Sequence, residues 1–325
     1  MRIGVDLGGT KIQAVVLDDV DAVCWQRRVP TPRDNYDGTV AAIARLVNDA
    51  ETTVGESCTV GIGIPGAVSP ATGAIKNANS TWLNRRPFKQ DLETALGREV
   101  RLANDANCLA VSEATDGAGA GAAVVFAVIL GTGTGGGLVV HGELLVGANA
   151  IGGEWGHNPL PQPADDERPG PACYCGRSGC IETFLSGPGL AGDYARRTRP
   201  HLSAPSRPHQ PAPSGAHLTA PRPDADIVTS ETVVSRATQG EATALATLEA
   251  WDDRVARSLA SVINLVDPDV IVVGGGLSRL TRLYVNVPAR WGRYVFSDRV
   301  VTRLLPATHG DASGVRGAAW LWGRD

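Results

Sequence analysis

The chain has 325 residues, room for about two domains, and its 43% hydrophobic and 20% charged residues exclude wholesale disorder. A formal net charge of −4 with no basic run argues against nucleic acid as a partner. The longest apolar stretch, Ala122 to Leu130, is too short to cross a bilayer, and an apparent strand begins at residue 3, so no leader, no membrane contact and a cytoplasmic location are expected.

Ile3 to Leu7 reads as a strand, Gly8 to Lys11 as a tight turn and Ile12 to Leu17 as the returning strand, with Val23 to Val29 as a third. Val40, Ile43, Leu46, Val47 and Ala50 recur at helical spacing. Val60 to Ile64 is a short strand ending at Pro65-Gly66; Val100 to Ala103 is another, followed by a helix from about Asp105 to Ala114. The pattern then restarts. Val124 to Leu130 is an apolar strand, Gly131 to Gly135 a glycine turn, Gly136 to Val140 a strand and Leu144 to Val146 a third. Two such openings, about 120 residues apart, predict two related α/β halves. Arg199 to Asp226 holds seven prolines in twenty-eight residues, which can continue neither a helix nor a central strand, and reads as a surface insertion with a lid or docking role as the alternative. Ala242 to Val266 is predicted as a long helix, Val270 to Val273 as a buried strand and Val315 to Trp322 as a closing helix.

Glycine is 39 of 325 residues, well above the usual ~7%, and it is clustered where backbone could approach a ligand. In DLGGTK (Asp6, Leu7, Gly8, Gly9, Thr10, Lys11), main-chain N–H groups could face phosphate oxygens, Asp6 could hold Mg²⁺ through water and Lys11 adds positive charge; the alternative is an ordinary hairpin turn. The spacing is not that of a P-loop. GTGTGGG (Gly131, Thr132, Gly133, Thr134, Gly135, Gly136, Gly137) stands at the equivalent place in the second half, and two such turns could grip a polyphosphate from both sides of a cleft. In RLANDANCLA, Asp105 is either the cap of the following helix or a general base. Gly274, Gly275 and Gly276 end a buried strand, suiting either a flat group packed on the backbone or simply a tight turn into a helix.

Cysteines are uneven. Cys24, Cys58 and Cys108 are isolated in apolar stretches and read as core residues, whereas Cys173, Cys175 and Cys180 fall within eight residues. With His157 they offer three thiols and an imidazole, a set suited to structural Zn²⁺; a cytoplasmic chain argues against a disulfide. Glu154 and Glu182 flank this set, where a metal knot would hold both carboxylates ready for the hydroxyls of a polyol.

Taken together, these motifs resemble the ROK family of bacterial sugar kinases, within the sugar kinase, Hsp70 and actin fold group (ribonuclease H-like), over nearly the whole chain. GEWGHNPL (Gly153 to Leu160) with CYCGRSGCIE (from Cys173) resembles the family's zinc signature; GIGIPGAV (Gly61 to Val68) and GVRGAAWLW (Gly314 to Trp322) resemble connecting segments of the fold group. NANSTWLN (Asn77 to Asn84), RLANDANCLAVSEA and HGDASGVRGAAWLW are similar to the fructokinase, or manno(fructo)kinase, branch, from which the proline-rich 199–226 segment departs by its length.

The resemblance implies a two-lobed α/β fold, with residues 1–115 plus 310–325 as one lobe and 116–309, including the zinc motif over 157–180, as the other. It implies ATP-dependent phosphorylation of a hexose at the 6-hydroxyl, D-fructose first and D-mannose second, with Asp105 as catalytic base. Gly66, Asn79, Asn104, Asp105, Glu154, His157 and Glu182 would contact the sugar, His157 serving the zinc as well. Asp6 and Gly8 to Lys11 would line the ATP phosphates with Gly131 to Gly136 opposite, and Gly274 to Gly276 would lie by the adenosine. A homodimer is expected from similar proteins. The rivals are another ROK hexokinase (glucokinase, N-acetylmannosamine kinase or a polyphosphate user), a sugar-sensing regulator, for which no N-terminal helix-turn-helix has room, and an ATP-binding chaperone or filament protein, which the zinc motif argues against.

Overall fold

In the computed structural model, residues 1–198 and 228–323 are described. The restarting pattern is realised as two five-stranded mixed sheets of identical wiring. The first joins β1 (Arg2–Leu7), β2 (Lys11–Leu17), β3 (Val23–Pro30), β4 (Thr59–Ile64) and, beyond the short hairpin β5 (Ala67–Val68) and β6 (Ile75–Lys76), β7 (Arg101–Asn104), in the order β3-β2-β1-β4-β7. The second joins β8 (Val124–Leu130), β9 (Thr134–Val140), β10 (Glu143–Leu144), β11 (Val270–Gly274) and β12 (Arg303–Pro306), in the order β10-β9-β8-β11-β12. In each sheet the first strand pairs antiparallel with the second and parallel with the fourth. Both glycine motifs therefore occupy the same hairpin, at the carboxyl end of the first strand.

Helix α1 (Tyr36–Val54) buries Ala42, Ile43, Leu46, Val47 and Ala50 on the first sheet, as the periodicity requires. Asn35 caps its start and Gly55, at φ 80°, ends it in a left-handed turn. Helix α2 (Phe88–Leu96) joins the same core through Phe88 and Leu92. Helix α3 (Asp105–Thr115) leaves the first sheet but packs on the second, where Leu109 and Ala110 meet Val125, Ala127, Val139, Val270 and Val272. The second core is completed by α4 (Glu182–Leu185), α5 (Gly187–Thr198), α6 (Ser230–Thr238) and the long α7 (Ala242–Val266), the last as predicted, with α8 (Thr281–Asn286) beyond β11. The closing helix α9 (Ser313–Ala319) leaves the second sheet and returns to the first, packing Val315, Ala319 and Trp320 against Val15 and Leu17. Glycine makes this crossing possible. A Cβ at Gly61 would stand 1.8 Å from the Ala318 carbonyl oxygen, and one at Gly317 only 1.7 Å from that of Cys108 on α3.

Three sequence expectations need correction. Cys24, expected in the core, is exposed, because β3 is an edge strand whose residues are mostly exposed. The strand placed at Leu144 to Val146 is Glu143–Leu144, because the chain turns away at Gly147, at φ 77°, and the Val146 carbonyl accepts from Gly152 N–H instead. The closing helix is α-helical only over Ser313–Ala319; Trp320–Trp322 tighten into a 3₁₀ turn. The proline-rich segment, 199–226, lies outside the described residues. Among the described residues, no helix is long and apolar enough to cross a membrane.

Candidate functional site

Asp6 stands near the end of β1, directly before the first glycine turn. The turn is closed by Gly8 N–H donating to the Lys11 carbonyl at 3.0 Å and is pinned from behind by Thr31, whose hydroxyl donates to the Gly8 carbonyl at 2.7 Å. Gly9, Thr10 and Lys11 are exposed, and a Cβ at Gly9 would meet nothing within 4 Å, so this backbone faces open space. Burial, then repulsion from Asp105, push the Asp6 pKa up to about 6 despite the opposing Lys11 and Arg28. The two carboxylates thus face one volume.

The junction of β7 and α3 shows which residue caps the helix. Asn104 is the cap: its side-chain oxygen accepts from Asn107 N–H at 2.6 Å. Asp105 accepts from Ala106 N–H, at 2.8 Å, and from its own backbone N–H, both within the first turn. Its carboxylate is reachable by solvent yet enclosed at longer range by protein, and that enclosure raises its pKa against the lowering effect of the local N–H groups. A cap delegated to the neighbouring residue leaves a carboxylate free to accept a proton from a ligand.

The second turn spans Gly131, Thr132 and Gly133, between the paired Leu130 and Thr134. Gly135 and Gly136 lie within β9, and Gly136 is buried, its missing Cβ leaving room for the Gly153 carbonyl and the Trp155 ring. The turn lies beside the glycine triplet: a Cβ at Gly131 would be 3.9 Å from Gly276 N. Gly274 is buried against Leu109, while Gly275, at φ 84°, and Gly276 are exposed. The chain thus brings together two of the three glycine motifs in its second half.

His157, Cys173, Cys175 and Cys180 form a four-residue cluster whose ligand atoms all lie within 4.8 Å of one another. Cys173 Sγ is 3.5 Å from His157 Nδ1 and Cys175 Sγ is 3.6 Å from Cys180 Sγ. Tetrahedral zinc with ~2.3 Å bonds to sulfur needs S···S edges of about 3.8 Å, so the donor set and spacing fit Zn²⁺. Burial raises the Cys175 pKa, but bonds from the Arg177 backbone and side chain and from the two neighbouring thiols outweigh it and bring it down to about 6. The cluster loop is anchored from outside. Buried Glu167 receives Arg254 and Arg257 of α7 at 2.6 Å, and Arg257 also donates to the Pro161 and Gln162 carbonyls.

The two flanking carboxylates diverge. Glu154 is half-buried; burial raises its pKa, His157 opposes this, and Asp105 and Glu182 add to it. Glu182 accepts Thr134 N–H at 2.9 Å, at the base of the second glycine turn. His157 directs Nδ1 to the cluster and Nε2 to the Tyr174 hydroxyl, 2.9 Å away. In the first half of the chain, Gly66, at φ 81°, admits the Lys76 carbonyl, and Asn79 is exposed.

Sequence reasoning missed Asn84 and Lys76. Asn84 clamps the residue before Asn79, accepting from Ala78 N–H at 2.9 Å and donating to its carbonyl at 2.8 Å. Lys76 Nζ donates to the Asn149 carbonyl at 2.7 Å, tying the first-half hairpin to the loop after β10. Lysine is rare in this chain, with Lys11, Lys76 and Lys89 its only examples, and that rarity is the one signal in the sequence that marks Lys76.

The model of the ROK family matches residues 2–325. N-acetyl-D-glucosamine kinase of Escherichia coli O127:H6 is 39% identical over 325 residues, covering 99% of each chain. Among solved structures, a ROK hexokinase from Thermus thermophilus superposes with a TM-score of 0.80 at 30% identity, covering 98% of this chain and 96% of that one. A ROK glucokinase from Streptomyces griseus, in complex with glucose and AMPPNP, gives 0.73 at 28% identity, covering 98% of both.

Proposed function

This chain belongs to the ROK family, and from that membership we propose that it is an ATP-dependent hexose kinase that phosphorylates the sugar 6-hydroxyl with Asp105 as general base. The observation that carries this is the division of labour at the start of α3: Asn104 caps the helix, and the Asp105 carboxylate, its own pKa raised by burial, is near enough to Asp6 and Glu154 to help raise both of theirs.

Asp105 would accept the hydroxyl proton, a contribution typically of ~10²–10⁴-fold. Gly8 to Lys11 and Gly131 to Gly133 would hold the phosphates, with Gly135 and Gly136 supporting the second turn from β9 and Gly274 to Gly276 beside the adenosine. Gly66, Asn79, Asn104, Glu154, His157 and Glu182 would orient the sugar. Most of the acceleration would come from positioning and charge stabilisation. Asp6, which disfavours its own ionised form beside Asp105, suits a cation at this place and would hold Mg²⁺; when bound, that ion neutralises charge on the phosphates. His157, Cys173, Cys175 and Cys180 would hold Zn²⁺ as a structural brace.

For the sugar, the 77–84 and 101–114 motifs favour D-fructose, with D-mannose second. The 39% identity to a protein named N-acetyl-D-glucosamine kinase favours a second reading, N-acetyl-D-glucosamine. The test is Asp105→Asn with ATP and a panel of D-fructose, D-mannose, D-glucose, N-acetyl-D-glucosamine and N-acetyl-D-mannosamine. The wild-type protein is expected to turn over a member of the panel and the variant to lose at least 100-fold in kcat while still binding that sugar. Near-normal turnover by the variant removes Asp105 from the role.

A further inference from the structure

The carboxylate of Glu182 is bonded to the base of the second glycine turn and lies near Glu154. It follows the metal-cluster residue Cys180 by two positions, and it is close enough to Glu154 to help raise the pKa of that residue. Among the described residues it accepts a single hydrogen bond, from Thr134 N–H at 2.9 Å, which leaves its other oxygen available as an acceptor. That bond fixes the residue that closes the second glycine turn. Gly133 lies against the same oxygen: a Cβ there would stand 2.8 Å from Glu182 Oε2. The segment grips the turn a second time, five residues on, where Gly187 N–H donates to the Gly131 carbonyl at 2.8 Å. Gly131 in turn packs beside Gly276.

We infer that Glu182 is a positioning residue that couples the hexose pocket to the nucleotide turn, so that a sugar drawn onto its free oxygen fixes Gly131 to Thr134 for the phosphates. This rests on the kinase reading and adds a thermodynamic linkage to it. By reciprocity, sugar must raise nucleotide affinity by the factor by which nucleotide raises sugar affinity. A carboxylate that served the sugar alone would give no such factor through the turn.

The experiment is calorimetric titration of the full chain with ADP, without sugar and with saturating D-fructose or N-acetyl-D-glucosamine. Wild type is expected to bind ADP five- to tenfold more tightly with the accepted sugar present. Glu182→Ala is expected to bind ADP several-fold more weakly without sugar and to show no sugar enhancement. Glu182→Gln, which keeps an acceptor for Thr134 N–H, is expected to recover sugar-free ADP affinity to within twofold. Gly133→Ala, which pushes the Glu182 oxygen away from the turn, is expected to weaken ADP binding and to lose the sugar enhancement. Unaltered ADP affinity and enhancement in both Glu182→Ala and Gly133→Ala overturns the coupling and leaves the kinase reading standing. A wild type that binds no ADP overturns both.

Discussion

Asp6 is expected to be a liability to the folded protein that its function requires. Its pKa rises from 3.8 to about 6 on folding, so the fold disfavours the ionised form. The sign follows: stability associated with Asp6 is fully present below pH 3.8, where the group is protonated in both states, and is lost as pH rises through about 6. Two units at about 1.4 kcal/mol each give a penalty of about 3 kcal/mol at pH 8. Asp6→Asn keeps the shape and removes the charge. It should stabilise the nucleotide-free protein by up to about 3 kcal/mol at pH 8, by a fraction of that at pH 5, and should lose kinase activity. Urea unfolding of both proteins between pH 4.5 and 8.5 measures this. The wild-type midpoint should fall relative to the variant across pH 4 to 6 and run parallel above. A gap that does not grow with pH, or a variant less stable at pH 8, refutes the account of a desolvated carboxylate beside Asp105. Saturating MgADP should narrow the gap by favouring the ionised Asp6.

Because enclosure raises the Asp105 pKa above 3.8, the acidic limb of kcat/KM should fall at a higher pH than for an ordinary aspartate; a limb at or below pH 3.8 would contradict it. Purified protein should hold about one zinc per chain, and Cys173→Ser should lower both metal content and the unfolding midpoint, as atomic emission and calorimetry would report. Asn84→Ala removes both bonds to Ala78 and should raise the hexose KM several-fold with a smaller change in kcat; equal losses in both would point to general damage. Gly317→Ala forces a methyl into the Cys108 carbonyl and should cost about 3 kcal/mol, the upper end for overpacking, measured by urea unfolding.

The duplicated sheet was legible because two strands separated by a glycine turn form a local pattern that the chain writes twice. The metal set was legible too, since three thiols and an imidazole at such spacing have few alternatives. The assignment of the cap to Asn104 was hidden: Asn and Asp are equally good caps, and only the tertiary direction of each side chain decides between them. The run Gly131 to Gly137 read as one motif, yet only its first part is turn; Gly136 is a packing glycine whose role depends on Gly153 and Trp155, distant in sequence. Helix α5 gave no signal because Gly187, Pro188, Gly189 and Gly192 are poor helix formers; burial of Leu190 and Tyr194 holds it instead. Four-residue β12 is too short to show a period.

The exchange of α3 and α9 between the sheets has a consequence for biosynthesis. A ribosome that has released the first 104 residues has made every strand of the first sheet, but the helix that follows covers the other one. The partner of Val15 and Leu17 emerges only with residues 315–320, long after the last strand of that sheet has been made. The nascent first sheet must wait with one apolar face bare, which makes the full-length chain, rather than either half, the smallest unit expected to stay out of aggregates.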